Sequence, residues 1–110
     1  MDQLKNKIAI VTGSASGIGR ETALLFAREG AKVTVSDINE KGGQAVADQI
    51  RDAGGEAIFV KADTASLKDH EHLVAETIKS FGGLHIAVNN AGVGSEFSKL
   101  ADVKLRIGIG

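Results

Sequence analysis

Eight residues, Thr12 to Gly19, read Thr-Gly-Ser-Ala-Ser-Gly-Ile-Gly. They lie between the apolar run Ile8-Ala9-Ile10-Val11 and a helical pattern from Arg20 to Arg28. A strand that empties into a glycine-rich turn and then a helix is suited to holding a pyrophosphate. Gly13 permits the tight turn, Gly17 lets the backbone approach the phosphates, and Gly19 lets helix and strand pack together. The start of the helix adds unpaired N–H groups and the positive end of its dipole. Glycine turns before helices also arise for steric reasons alone, so the surroundings decide. Here an acid, Asp37, follows Gly19 by eighteen residues at the end of a second apolar run. That is where a carboxylate can accept hydrogen bonds from a ribose.

A second cluster, Asn89-Asn90-Ala91-Gly92, follows a fourth apolar run. By itself it reads as an ordinary turn, because Asn and Gly dominate turns. With the glycine turn at this separation it resembles the short-chain dehydrogenase/reductase family, over roughly Gln3 to Ala101. The resemblance implies an oxidoreductase that passes hydride between NAD(H) and an alcohol or ketone. It also implies roles for particular residues. Thr12 would hold the glycine turn against the Asn89 loop, and Gly13, Ser16, Gly17 and Gly19 would form the phosphate cradle. Ile18 would offer its backbone N–H to the pyrophosphate. Asp63 and Thr64 would lie beside the adenine, although an Asp between strand and helix is equally a cap. Asn90, Ala91 and Gly92 would line the nicotinamide side. NAD is expected over NADP, because Asp37 would repel a 2′-phosphate and Ser14, Ala15 and Ser16 carry no charge to attract one.

The elements that must position these residues alternate along the chain. Strands are predicted at Lys7 to Thr12, Lys32 to Ser36 (with Asp37 just beyond), Glu56 to Lys61 and Leu84 to Val88. Helices are predicted at Gly17 to Glu29, Glu40 to Ala53 and Ser66 to Phe81, the last capped by Ser66 with Asp69 in its first turn. Their buried stripes are expected at Ile18, Thr22, Leu25 and Phe26, then Val46, Ile50 and Ala53, then Leu67, Val74, Ile78 and Phe81. Short loops between alternating strands and helices require right-handed parallel crossovers. The fold class is therefore α/β, a Rossmann-like doubly wound parallel sheet cut short, with strand order 3-2-1-4.

The remaining side chains are read as structural. His70 and His72 lie two apart on a helix, cannot face one ligand, and are expected on its solvated surface with Glu71, Glu76 and Lys79. His85 is expected to be packed or hydrogen-bonded in the fourth strand. No metal site is assigned. The chain has no cysteine and a net charge of −1, which gives no thiolate site and no basic footprint for nucleic acid. Its apolar runs are too short to span a membrane. A cytoplasmic protein is expected.

The family's chemistry uses an Asn, a Ser and a Tyr-x-x-x-Lys pair, and this chain of 110 residues contains no tyrosine. No catalytic residue is assigned, and the chain alone is expected to turn over neither alcohol nor ketone. Members run to about twice this length, so a small-molecule substrate and a homo-oligomeric assembly belong to a full-length parent. Residues 1–106 are expected to form the partial dinucleotide-binding domain. Residues 107–110, Ile-Gly-Ile-Gly, break the pattern. Relatives often continue with an Asp-Trp-Asp-Arg-like stretch, and codons for it read one nucleotide out of phase give Ile-Gly-Ile-Gly. A tail produced by frameshift or truncation is the expectation, and sequencing the source DNA decides it. Two other readings stay open. One is a dinucleotide-binding module without chemistry. The other is a flavodoxin-like or receiver-type domain, which leaves the paired motifs unexplained.

Overall fold

The computed structural model describes residues 3–63 and 65–90. Along the chain run β1 (Ile8–Thr12), α1 (Gly17–Arg28), β2 (Lys32–Asp37), α2 (Glu40–Asp52), β3 (Glu56–Lys61), α3 (Leu67–Phe81) and β4 (Ile86–Asn89). The strands pair in parallel, in the order β3-β2-β1-β4, as the alternating pattern requires. In this register Thr12 stands opposite both Ser36 and Asn89, so the ends of three strands meet at one edge of the molecule. The β4 strand begins two residues later than its apolar run suggests, and Asp37 is the last residue of β2 rather than the first beyond it.

Every residue of β1 is buried, because the strand is central and covered on both faces. Val11, Val33 and Val35 pack with Ala23, Val46, Ala47 and Ile50. On the other face Ile10 and Val60 meet Leu73, Val74 and Leu84. A fully buried side chain such as Ile10 contributes ~2 kcal/mol through the water it no longer contacts.

Two helix stripes differ from those expected. In α1 the buried residues are Gly19 and Ala23, whereas Ile18 is 79% and Leu25 46% exposed. The reason is the closeness of the contact. A Cβ added to Gly19 would lie 2.0 Å from the Gly13 carbonyl oxygen, so the smallest residues face the sheet and the large ones turn outward. Phe26 and Ala27 cover the flank.

In α3 the stripe is His70, Leu73, Val74 and Thr77, so His70 is buried and not solvated as expected. Its spacing to Leu73, Val74 and Thr77 is three, four and seven residues, one face of a helix. Leu67, expected in the core, is 51% exposed. Helical side chains lean toward the N-terminus, so the first residue of α3 projects over the preceding loop. His72, Glu71 and Lys79 are exposed, Glu76 is half-buried, and Ala53 caps the end of α2 in solvent. Val46 and Ile50 are buried as expected. Gly43 costs helix propensity but fits a need: a Cβ there would meet the Phe59 ring at 2.1 Å. His85 precedes β4, and its Nδ1 accepts the Ile8 N–H at 3.0 Å.

Candidate functional site

The glycine turn is built from the ends of β1 and β2. Gly13 has φ +64° and Gly17 φ +61°, left-handed conformations that side chains with a Cβ resist. Around Gly17 a Cβ would meet nothing within 4 Å, so the backbone there faces open space. Between these two glycines, Ser14 is fully buried. Its N–H donates to the Ser36 carbonyl at 3.1 Å. Its hydroxyl lies 2.8 Å from the Val11 carbonyl and 3.0 Å from that of Ser36, and accepts the Ser36 N–H at 3.0 Å. Ala15 N–H then donates to Asp37 Oδ2 at 3.0 Å.

Ser16 is the N-cap residue of α1, yet its side chain makes no capping hydrogen bond, and the first turn carries no acid. An α-helix leaves its first N–H groups without partners in the helix. In α1 those groups belong to the turn around Gly17, Ile18 and Gly19. The arrangement fits an external anion: donors, a dipole end, and room for close approach.

Thr12 is buried and donates from Oγ1 to Asn89 Oδ1 at 2.8 Å, with the Val88 carbonyl at 3.4 Å. This bond joins the last residues of β1 and β4. Asn90 is exposed beside it. Asp63 is exposed at the end of β3, where its Oδ1 accepts the Ala65 N–H at 2.9 Å. It shapes the loop into α3, while the cap is Ser66, as expected, accepting the Asp69 N–H at 3.2 Å. Thr64, Ala91, Gly92 and the tail 107–110 lie outside the described residues.

Thr12, Gly13, Ser16 to Gly19, Asp37, Asn89 and Asn90 therefore gather at the carboxyl ends of β1, β2 and β4, with Asp63 one strand further along. Missing from the sequence reading were Ser14 and the Ala15 amide as ties to β2. The one hint available was two serines, Ser14 and Ser36, whose pairing needs the β1–β2 register. A cleft of about 360 Å³ between α1 and α2 adjoins the turn at Ala15, Ser16 and Gly17. A larger cleft of about 540 Å³ lies between the C-terminal ends of the same helices. In open parallel sheets ligands bind outside the carboxyl ends of the strands; the smaller cleft borders that edge at Ala15 to Gly17, whereas the larger one lies away from it. Among the described residues no cluster of side chains could hold a metal ion, and no helix is long and apolar enough to cross a membrane.

A parallel sheet with a glycine turn at the carboxyl ends of its central strands is the architecture of a doubly wound, dinucleotide-binding type of fold. The short chain dehydrogenase family matches residues 7–106, and the chain belongs to that family. It is 42% identical over 104 residues to a cyclohexanol dehydrogenase of an Acinetobacter species, covering 94% of this chain and 41% of that protein. It is 44% identical over 105 residues to a 2,5-dichloro-2,5-cyclohexadiene-1,4-diol dehydrogenase of Sphingobium indicum, covering 96% of this chain and 41% of that one. Among solved structures it is similar to a hydroxysteroid dehydrogenase from Escherichia coli, at 43% identity and a TM-score of 0.79. That match covers 81% of this chain and 38% of the other. The chain thus spans about two fifths of the length of these relatives. Membership of the family removes the flavodoxin-like and receiver-type reading.

Proposed function

We propose that this chain is the NAD-binding portion of a short-chain dehydrogenase whose full-length form interconverts an alcohol and a ketone. The observation that carries the reading is the uncapped start of α1, open beside Gly17 and joined to the ends of β2 and β4. The N–H groups of Gly17, Ile18 and Gly19 would bind the pyrophosphate, with Gly13 and Ser16 shaping the cradle. Asp37 would accept from the adenosine ribose, and Asp63 and Thr64 would border the adenine. Thr12 would keep the Asn89 loop in register so that Asn90, Ala91 and Gly92 line the nicotinamide. When bound, the cofactor would accept or donate the hydride. Proton transfer to the substrate oxygen needs a group outside this chain, so the chain alone is expected to be inactive. Residues 1–106 would form the binding unit, in a cytoplasmic parent that assembles with copies of itself. The relatives' cyclic alcohols and diols make a secondary alcohol the first substrate class to try.

NAD is preferred over NADP on this reading. An ionised Asp37 can accept from both ribose hydroxyls, each charge-assisted bond worth ~1.5–3 kcal/mol, whereas a 2′-phosphate removes one hydroxyl and adds a like charge. Titrating NAD and NADP against the full-length parent and its Asp37→Ala variant tests it. Equal affinities in the parent would refute the role given to Asp37. A module without chemistry would bind equally well, and finding no downstream Ser, Tyr and Lys in the parent reading frame would favour it.

A further inference from the structure

Asp37 makes two hydrogen bonds before any ribose arrives. Its Oδ2 accepts the Ala15 N–H at 3.0 Å and its Oδ1 accepts the Asn39 N–H at 2.9 Å. The neighbouring tie, between Ser14 and Ser36, is buried and made by backbone and hydroxyl. The end of β2 thus grips the glycine turn at two successive residues. Beyond Ser14 the turn comes progressively into solvent, with Ala15 half-buried and Ser16 and Gly17 exposed. Those last residues orient the free N–H groups of α1. A carboxylate has about four acceptor positions, so the two in use leave room for a ribose.

We propose that Asp37 is a positioning residue for the phosphate-binding turn, in addition to the ribose contact assigned above, on which this inference rests. By holding the Ala15 amide it fixes the direction in which the peptides of Ser16 and Gly17 enter α1. Phosphate binding and ribose reading are then coupled through one side chain. Loss of the carboxylate weakens even a ligand that has no ribose hydroxyl.

The test compares ADP with 2′,3′-dideoxy-ADP, which carries the same diphosphate and lacks both hydroxyls. Calorimetric titrations use the chain, Asp37→Ala and the nearly isosteric Asp37→Asn, with thermal melts to show that each variant is folded. Both variants are expected to bind dideoxy-ADP about tenfold more weakly, the loss of one charge-assisted hydrogen bond. ADP should fall further. An unchanged dideoxy-ADP affinity with a reduced ADP affinity would leave Asp37 as a ribose contact alone and overturn the proposal. Hydrogen exchange at the Ala15 amide supplies a ligand-free readout. Asp37→Ala, which removes the acceptor, should speed exchange at Ala15 and leave Val33 and Val35 unchanged; unaltered exchange at Ala15 in that variant overturns the positioning role by itself. No binding of ADP by the unsubstituted chain would instead overturn the cofactor reading.

Discussion

Helices α1 and α3 both follow a strand of the same parallel sheet, and both begin after a serine in extended conformation. Their first turns are nevertheless completed differently. In α3, Ser66 accepts the Asp69 N–H, and Asp69 reaches back to accept the Asp63 N–H at 2.7 Å. Asp69 thus ties the first turn to the loop before it, while the Ser66 N–H donates to the Asp63 carbonyl at 2.9 Å. The α2 helix is closed too, its Asn39 accepting the Gly42 N–H at 3.0 Å. In α1 Ser16 makes no such bond, and two glycines with positive φ bring the backbone to the site in place of side chains. Where the protein supplies its own acceptor, a helix start serves stability. Where it withholds one, as in α1, the donors stay open, as the proposed pyrophosphate contact requires.

The comparison breaks most severely at Gly19. Gly19→Ala puts a methyl 2.0 Å from the Gly13 carbonyl oxygen, and backbone cannot yield as a flexible side chain would. We expect a loss of ~3 kcal/mol in a urea melt, together with loss of NAD binding. Equal stability of the variant would mean that α1 can move off the sheet.

Next in size is an attempt to make α1 resemble α3. Ser16→Asp places a capping carboxylate over the same N–H groups, which should raise helix stability by ~0.5–1 kcal/mol. The same charge would compete with the pyrophosphate, so NAD affinity should fall about tenfold or more while the melting temperature rises. Stability and affinity moving together would sink the idea that the open start is reserved for a ligand.

The converse change is Ser66→Ala. Removing the α3 cap is expected to cost ~1 kcal/mol and to leave the NAD dissociation constant where it was. A changed dissociation constant would tie α3 to the site. Smallest of all is Ser16→Ala. With no capping bond to lose, its unfolding free energy should stay within ~0.5 kcal/mol of the parent's, and a larger drop would show that Ser16 caps α1 in solution.

Much of this was open to sequence reasoning because it depends on local rules. The period of apolar residues and the glycines between them mark strands, helices and their order, since short right-handed crossovers leave little topological choice. Thr12 to Gly19, Asp37 and the Asn89 cluster could be singled out because a turn that admits phosphate needs glycine at fixed positions. The Ser66 cap followed from the same local chemistry.

Other features depend on which faces meet. Ile18 and Leu25 look like a buried stripe by spacing, but the approach of Gly19 to Gly13 rotates α1 so that they face solvent. His70 looks like surface by type, yet its place opposite the sheet buries it with Leu73 and Thr77, and Thr77 Oγ1 donates to Thr34 Oγ1 at 2.8 Å. The grip of Ser36 and Asp37 on Ser14 and Ala15 spans twenty-two residues. No periodicity encodes it, because it arises only when β1 and β2 lie side by side in their particular register. The sequence alone determined the elements, their order and the turn chemistry, all of which are set by neighbours along the chain. Tertiary structure decided the rotation of each helix and the partners of each buried hydroxyl and carboxylate, because those depend on distances between segments that only packing brings together.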